Sequence, residues 1–232
     1  NKYFNISYQS NFSPQKSSLF VIYLEGLKKN NVIVQSLWIG SRLSNLEKLS
    51  INSFIKNGHD FHLYTYGPVE GIPPETTIKD GNDILPESEI FCYSNTRAGS
   101  SSVSAFSNIF RFKLLYLKGN YWVDTDMVCT QFLNISEPYL FTTEPVVNKC
   151  YKRETINAGI IKLPIYSPES SLGVKICYNK KVKIIKGNLK WGLGPTTTKQ
   201  VINRFNLQPY VKPWYFSNSC GGSHWKSLLQ NF

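Results

Sequence analysis

FSNIFRFKLLYLKGNYWVDTD, residues 106–126, contains the clearest pattern of secondary structure in the chain. Apolar side chains recur in it at helical spacing until a Lys-Gly pair stops the pattern, which predicts a helix over residues 104–118. The apolar triplet YWV follows at once and predicts a buried strand over residues 121–123. That strand leads directly into Asp124 and Asp126, two carboxylates one residue apart. The stretch therefore predicts a helix and then a strand, with acidic side chains at the carboxyl end of the strand.

A strand, a helix and a second strand are predicted upstream of this stretch. Residues 32–39 form a short β-branched run that ends at a glycine, and residues 61–66 alternate in polarity as strands do. Between them, Ser44 and Glu47 have the spacing of a capping box at a helix N-terminus. The buried stripe of this helix and the glycine after its end are expected at Leu46, Leu49, Phe54, Ile55 and Gly58. A strand, a helix and a strand in this order predict a parallel sheet.

Loops and further strands are predicted between and after these elements. Residues 73–86 are rich in turn formers and are predicted to be loops. Strands are predicted at Phe132 and over residues 139–142 and 160–163. These strands would extend the sheet beyond the strand that ends at the two aspartates.

The chain is expected to form one domain. A helix with a threonine cap is predicted over residues 196–205. Residues 1–30 are polar and irregular and form an N-terminal segment of unknown role. Because no linker or repeat divides the 232 residues, we expect a single α/β domain over residues 1–232. Its sheet is expected to be mixed, mostly parallel and flanked by helices.

The net charge of +11 is unevenly distributed. Beyond Asp126 the acidic residues are Glu137, Glu144, Glu154 and Glu169, whereas lysines cluster at Lys175, Lys180, Lys181, Lys183, Lys186 and Lys190. Such a surface attracts nucleotide phosphates, anionic lipid headgroups or nucleic acid. No nucleic-acid-binding motif accompanies the charge, so we expect no nucleic-acid partner. An anionic membrane surface is the expected partner, and a face charged only for solubility is the alternative.

Cysteine usage favours a reducing compartment. The five cysteines are odd in number and no two have the C-x-x-C spacing, which disfavours a disulfide framework or a zinc knuckle. Three N-x-S sequons, at Asn5, Asn11 and Asn134, leave the secretory pathway open as an alternative. No apolar run is long enough to span a bilayer. We therefore expect a cytoplasmic protein, with peripheral binding at the inner face of the membrane as a further expectation.

The two carboxylates after the strand suggest a metal site. Residues two apart on a strand point the same way, so a turn there can bring Asp124 and Asp126 to one ion. Oxygen ligands suit Mg²⁺ or Mn²⁺, and such an ion could bridge a diphosphate and neutralise it as a leaving group. A turn with solvated acids is one alternative. Another is a haloacid dehalogenase-type phosphatase with Asp124 as nucleophile, but that chemistry needs acidic metal ligands downstream and no aspartate follows Asp126.

The preceding helix adds polar groups to the same region. Ser104, Asn108 and Arg111 are spaced at i, i+4 and i+7 and therefore share one face. The helix leads directly into the strand that carries the carboxylates, which places Arg111 near the same cleft. Its guanidinium could bind sugar hydroxyls or phosphate oxygens as a fork. An arginine exposed on the helix surface is the alternative.

Residues 106–126 resemble the signature of the glycosyltransferases with a DXD sugar-binding region, namely the family-32 transferases and their capsular-polysaccharide-type relatives. The usual form has Ser-Asp, an arginine about three residues later, and then Gly-Gly-x-Tyr-x-Asp-x-Asp. Residues 34–40 and 59–66 also resemble N-terminal segments of the family. The likeness covers roughly residues 31–165 and implies a GT-A-type, Rossmann-like domain.

The resemblance implies a role for each matching residue. Trp38 would stack on the nucleotide base, with Ile39 and Gly40 in the same donor-binding segment. Asp124 would contact the ribose and the water shell of the metal, and Asp126 would be a metal ligand. Arg111 would hold the donor sugar, and Asn157 would line the donor pocket. Asn108 would occupy a further donor-binding position. Ser223, His224 and Trp225 resemble a segment that closes over the diphosphate, with His224 as a metal or phosphate ligand.

Two positions depart from the family pattern. Asn108 stands where the family usually has aspartate, so the hydrogen-bonding geometry is kept and the charge is lost. The segment Lys118-Gly119-Asn120 replaces a paired glycine. The first change affects the expected donor affinity or donor identity, and the second affects the turn.

The resemblance implies a metal-dependent glycosyltransferase that retains anomeric configuration. It would use Mn²⁺ or Mg²⁺ and a nucleotide sugar, with a UDP-sugar as the expected donor. The expected acceptor is a saccharide or a lipid-linked acceptor in surface polysaccharide assembly. A toxin-like transferase that modifies a protein and a noncatalytic basic binding module are the alternatives.

Overall fold

A computed structural model describes residues 32–94, 102–147, 152–188 and 192–216. These residues form an α/β domain in which seven strands make one mixed sheet. The strands are β1 (Ile33–Leu37), β2 (Asp60–Thr65), β3 (Thr77–Asp80), β4 (Tyr121–Val123), β5 (Leu140–Val147), β6 (Lys152–Lys162) and β7 (Val211–Lys212). The strand order in the sheet is β3-β2-β1-β4-β6-β5-β7.

The sheet is mostly parallel, as the sequence predicts. The strands from β3 through β2 and β1 to β4 are parallel neighbours, and so are β5 and β7. The long strand β6 runs antiparallel to both β4 and β5. The expectation of a single α/β domain with a mixed sheet flanked by helices is therefore confirmed for the described part of the chain.

Helices cover both faces of the sheet. They are α1 (Asn45–Lys56), α2 (Ser104–Lys118), α3 (Pro168–Ile185) and α4 (Leu193–Arg204). One buried cluster joins α2, α3 and α4 to one face of the sheet, and a second cluster joins α1 to the other face. Strand alternation supports this division, since Trp122 belongs to the first cluster and its neighbours Tyr121 and Val123 to the second. No helix in the described ranges is long and apolar enough to cross a membrane.

The capping box of α1 forms as predicted. Ser44 Oγ accepts from the Leu46 amide at 3.2 Å, and the Ser44 amide donates to Glu47 at 2.7 Å. Gly58 follows the helix with a φ of +86°, a conformation that favours glycine. The predicted stripe is partly wrong, because Leu49 is 44% exposed and Ile51 is fully buried. These two residues lie on opposite sides of the helix.

Two loop and strand predictions are also wrong. Residues 73–86 contain β3, which pairs with β2 and whose polar sequence shows no apolar periodicity. Phe132 is not in a strand; its ring stacks on His59, with 4.7 Å between ring centroids. The strands predicted over residues 139–142 and 160–163 exist as parts of the longer β5 and β6.

The helices of the C-terminal third differ from the prediction. Helix α3 was not predicted, since lysines interrupt its apolar periodicity. Helix α4 begins at Leu193 after Gly192, whose φ is +112°, so no threonine caps it. The hydroxyl of Thr198 instead donates to the Gly194 carbonyl at 2.9 Å within the helix.

Candidate active site

The segments after β1 and β4 meet at one edge of the sheet. The two strands are adjacent and parallel, with Val34 opposite Tyr121. Their carboxyl ends therefore lie side by side, which places Trp38, Ile39 and Gly40 beside Asp124 and Asp126. Open α/β sheets bind ligands in the crevice outside the carboxyl ends of their strands.

The side chain and the amide of Asp124 are held by three hydrogen bonds, and its carbonyl accepts a fourth from the Met127 amide at 3.1 Å. Its Oδ1 accepts from Arg111 Nη2 at 2.6 Å and from Trp122 Nε1 at 2.7 Å. Its amide donates to the Gly159 carbonyl on β6 at 2.7 Å. The other carboxylate oxygen, Oδ2, has no hydrogen-bond partner among the described residues. One oxygen therefore fixes the orientation of the side chain, and the second is available to a ligand.

Arg111 is buried, so the alternative of an exposed arginine on α2 does not hold. Its side chain is 5% exposed, and its guanidinium carbon lies 4.8 Å from the centre of the Trp122 ring. Nη1 donates to the Ala158 carbonyl while Nη2 donates to Asp124, and Nε is buried without a partner in the described ranges. Because both terminal nitrogens are engaged by the protein, this geometry makes Arg111 a positioning residue for Asp124. Its predicted contact with a donor sugar stays a prediction.

Asp126 carries a carboxylate that the protein does not neutralise. The residue is exposed at the surface, yet enough protein surrounds its carboxyl that lost solvation raises its pKa. The Asp124 carboxylate raises this pKa further, and Arg111 opposes the shift. A bound cation would compensate for the lost solvation of Asp126 and for its repulsion from Asp124.

Glu144 is a third carboxylate near this pair, and the sequence did not single it out. Loss of solvation raises the pKa of Glu144, and Asp124 and Asp126 add to the shift. The residue comes from β5, where it is opposite Thr155 on β6. Glu144 comes close to the two aspartates only because β5 pairs with β6 and β6 pairs with β4. No local sequence motif could therefore have identified it.

The carboxylates alone do not complete a metal shell. Among the described residues, no group of three or more histidine, cysteine, aspartate or glutamate side chains is arranged to hold a metal ion. Magnesium-type ions commonly take one or two carboxylates and fill the remaining positions with substrate phosphates and water. Asp124 Oδ2 and Asp126 fit that smaller role. His224, the third predicted ligand, lies outside the described residues, as do Ser223 and Trp225.

Asn157 lies on β6 beside Asp124. Its Oδ1 accepts from the Gly159 amide at 2.7 Å, and a Cβ on Gly159 would lie 3.0 Å from Asn157 Oδ1 and 3.5 Å from Asp124 Oδ2. Glycine at 159 therefore allows both side chains to approach. Asn157 is opposite Thr142 on β5, so it shares a sheet face with Glu144. The predicted position of Asn157 at this site agrees with the geometry, and its contact with a donor stays a prediction.

Asn108 is buried between helices. Its Nδ2 donates to the Ser104 carbonyl at 2.8 Å, and the residue is 7% exposed. Its Oδ1 lies against Gly194 near the start of α4, where a Cβ would collide with it. Asn108 therefore helps to join α2 and α4 one turn before Arg111. Nothing in this arrangement tests the predicted contact of Asn108 with a donor.

Trp38 lies half-buried after β1. Its amide donates to the Tyr64 carbonyl at 2.9 Å, and its ring packs against the cluster beneath α1. Its Nε1 is buried without a hydrogen-bond partner in the described part of the chain. Gly40 has a φ of +154°, and a Cβ there would lie 3.2 Å from this Nε1. The glycine thus allows the indole to lie against the backbone, while Ile39 packs toward the opposite cluster.

The fold is similar to that of one solved glycosyltransferase structure. The PaToxG glycosyltransferase matches with a TM-score of 0.52 and 14% identity, over 84% of this chain and 83% of that one. The chain has a GT-A-type fold. A second solved structure, described as a transferase, matches with a TM-score of 0.41 and 12% identity, over 77% of this chain and 86% of that one. No family model and no curated protein sequence matches the chain.

Proposed function

We propose that this protein is a metal-dependent, retaining glycosyltransferase of the family-32-like type that takes its sugar from a nucleotide sugar, with a UDP-sugar as donor. One observation carries the proposal. At the carboxyl end of β4, Arg111 and Trp122 hold one oxygen of Asp124, leaving Asp124 Oδ2 and Asp126 at the ligand-binding edge of a GT-A-type fold.

The charges of the site support metal dependence. Arg111 balances Asp124, whereas Asp126 and Glu144 form no salt bridge within the described ranges. A diphosphate would be repelled by these carboxylates unless a cation lay between them. Mn²⁺ or Mg²⁺, held by Asp126 and by Asp124 Oδ2, would supply that charge and stabilise the leaving diphosphate. His224 is the proposed additional metal or phosphate ligand.

The remaining residues of the site would bind and orient the donor. Trp38 is proposed to stack on the base, with Ile39 and Gly40 beside it, and Asp124 to bind the ribose. Asn108 and Asn157 are proposed to line the sugar pocket. Tight orientation of the donor against the acceptor is itself a large part of the rate enhancement in such transfers.

The chemical step proposed is a front-face displacement. The bond between the anomeric carbon and the phosphate oxygen breaks as the acceptor oxygen bonds to that carbon on the same face. The acceptor proton passes to the departing phosphate oxygen, which balances the charge without a protein nucleophile. The acceptor is proposed to be a saccharide or a glycolipid of surface polysaccharide assembly.

A nucleotide-sugar panel tests the proposal directly. Purified protein is incubated with UDP- and GDP-sugars and Mn²⁺, and release of nucleotide is followed with saccharide acceptors, with protein acceptors and with none. We expect release that stops with EDTA, and a melting temperature raised by Mn²⁺ together with the correct nucleotide, since ligands stabilise the state they bind. Absence of both effects across the panel contradicts the proposal. Transfer to protein and not to saccharide would reassign the enzyme to the protein-modifying class.

The variant Trp38→Ala distinguishes an effect on donor binding from an effect on the chemical step. A base stack is present in the ground state and in the transition state, so its loss should raise KM for the donor more than it lowers kcat. An unchanged KM would make Trp38 a packing residue only.

A further inference from the structure

One face of α3 combines lysines with exposed aliphatic side chains. The face consists of Lys175, Asn179, Val182, Lys183, Ile185 and Lys186, which we term the α3 lysine face. Its residues recur at spacings of three and four, so they lie along one side of the helix. The opposite side, with Gly173, Cys177 and Ile184, is buried against the domain. The α3 lysine face therefore points away from the core.

The chemistry of this face is not that of an ordinary solvated surface. Val182 is 59% exposed and Ile185 is 46% exposed, between lysines on the same turns. The face contains no acidic residue, and none of its three lysines forms a salt bridge with the described residues. Lys181, at the side of the helix, does have one, with Glu89 at 3.5 Å. The face is thus positively charged without compensation, and exposed aliphatic side chains accompany the lysines at its C-terminal end.

We propose that the α3 lysine face binds the surface of an anionic phospholipid bilayer. The lysine ammonium groups would contact lipid phosphates and carboxylates, and their attraction falls off within a Debye length of the surface. Val182 and Ile185 would enter the boundary between headgroups and acyl chains, where interfacial helices bury their apolar residues. This binding is separate from glycosyl transfer and needs no residue of the candidate active site.

The aliphatic side chains decide between a bilayer and a nucleic acid. A phosphate backbone attracts lysines equally well but offers no apolar phase to Val182 and Ile185. The face also has no arginine and no aromatic residue to stack on bases. A bilayer accounts for both the charge and the exposed aliphatic groups.

Vesicle co-sedimentation of the full chain tests the proposal. Vesicles of phosphatidylcholine alone and of phosphatidylcholine mixed with phosphatidylserine are compared at low and high salt. We expect binding to the mixed vesicles only, weakened by salt. The triple variant Lys175→Gln, Lys183→Gln and Lys186→Gln should lower the partition coefficient roughly 100-fold, because each lysine contributes about fivefold.

A matched control removes the same charge elsewhere. Lys56→Gln, Lys118→Gln and Lys199→Gln change three exposed lysines on the other helices, and this variant should retain most of the binding. The variant Val182→Ser with Ile185→Ser keeps every charge and should bind several-fold more weakly. Melting temperatures establish that each variant is folded. Equal losses of vesicle binding in the two lysine variants would overturn the proposal. Wild-type vesicle binding by the serine variant would also overturn it. So would binding to duplex nucleic acid that requires the α3 lysine face, if the protein does not bind vesicles.

Discussion

Arg111 Nη2 lies 2.6 Å from Asp124 Oδ1, and the two residues come from the helix and the strand end that adjoin in the sequence. The arginine is 5% exposed and the aspartate 36% exposed, so the pair spans the boundary between the core and the candidate active site. A buried cation thus orients a carboxylate whose other oxygen has no hydrogen-bond partner among the described residues. This relationship makes the candidate site dependent on the packing of α2 against β4 and β6.

Arg111→Lys is expected to impair the site more than the fold. A lysine keeps the charge but cannot bond Asp124 and the Ala158 carbonyl together as the guanidinium does. We expect kcat/KM for a nucleotide sugar to fall on the order of a hundredfold. The loss of unfolding free energy should be about 1–2 kcal/mol, below the range for fully buried pairs because Asp124 is partly solvated.

A double-mutant cycle of Arg111→Lys with Asp124→Asn checks this role. Residues that act through one contact are strongly non-additive, so the double variant should be little worse than Asp124→Asn alone. Additive losses in kcat/KM would show that Arg111 acts on the substrate and not through Asp124.

Asp126→Asn and Asp124→Asn should differ in stability while both lose activity. Asp126 is repelled by Asp124, so removing its charge should leave the melting temperature unchanged or slightly higher. Asp124→Asn weakens two charge-assisted hydrogen bonds, from Arg111 and Trp122, and should lower the free energy of unfolding by about 1–3 kcal/mol. Thermal unfolding and Mn²⁺-dependent hydrolysis measure the two effects. Wild-type turnover in Asp126→Asn would remove the metal assignment.

Glu144→Gln should have opposite effects on thermal stability in the metal-free protein and in the protein with Mn²⁺ and nucleotide. Glu144 has a raised pKa because of burial and the two aspartates, so its ionised form destabilises the metal-free protein near neutral pH. That destabilisation disappears as the pH falls through the raised pKa. We therefore expect Glu144→Gln to raise the melting temperature of the metal-free protein and to reduce the stabilisation given by Mn²⁺ with nucleotide.

Glu154→Gln is the matched control for Glu144. Glu154 lies on the neighbouring strand opposite Pro145, and therefore on the other face of the sheet. It should leave both melting temperatures near those of the wild type. If the two glutamine variants behave alike, Glu144 has no special relation to the metal site.

The pattern of successful and failed predictions follows the range of the interactions. Patterns among residues close in sequence predict helix α2, strand β4 and the capping box of Ser44, and each formed as predicted. Strand β3 is stabilised by β2, and its polar sequence carries no signal of its own. Helix α3 buries a narrow stripe beneath a lysine-rich outer face, which hides its periodicity. Short-range patterns were therefore sufficient for the elements at the centre of the sheet and insufficient at its edges.

Contacts in the candidate site were likewise predictable where the residues are close in sequence and unpredictable where they are distant. The proximity of Arg111 to the carboxylates was expected, because the helix and strand that carry them are consecutive. The bond from Trp122 Nε1 and the approach of Glu144 were not, since they depend on a side-chain rotamer and on the register of β5 with β6. Sequence motifs name residue types, whereas the distribution of charge in the site depends on strand pairing.

His59 should make the protein less stable at mildly acidic pH. The side chain is 5% exposed, and its Nε2 accepts from the Leu133 amide at 3.1 Å. Burial lowers its pKa below the ordinary value of 6.5, and the nearby Val32 backbone opposes this shift only in part, without a well-formed hydrogen bond to the buried Nδ1. Below pH 6.5 the unfolded chain therefore binds a proton that the folded chain does not, and stability falls as the pH drops through that window.

Melting curves across this pH range test the assignment to His59. His59→Gln should be less stable than the wild type by about 1 kcal/mol at neutral pH, because the stacking of the imidazole ring on Phe132 is lost. It should also lose part of the pH dependence below 6.5. His62→Gln, on the adjacent strand, is the control and should retain that dependence.

Asn108→Asp should weaken donor binding through Arg111. The amide donates to the Ser104 carbonyl, a bond that a carboxylate cannot make, and the site is 7% exposed. The new charge lies one helical turn before Arg111, whose buried Nε has no partner among the described residues, so the carboxylate would attract the guanidinium away from Asp124. We expect a lower melting temperature at neutral pH, a higher KM for the donor and an altered preference among UDP- and GDP-sugars. Asn108→Ala removes the same hydrogen bond without adding charge, so it should lower the melting temperature and change KM much less. Equal KM values for the two variants would show that the charge at this position does not reach Asp124 or the donor, and that Asn108 serves only the contact between α2 and α4.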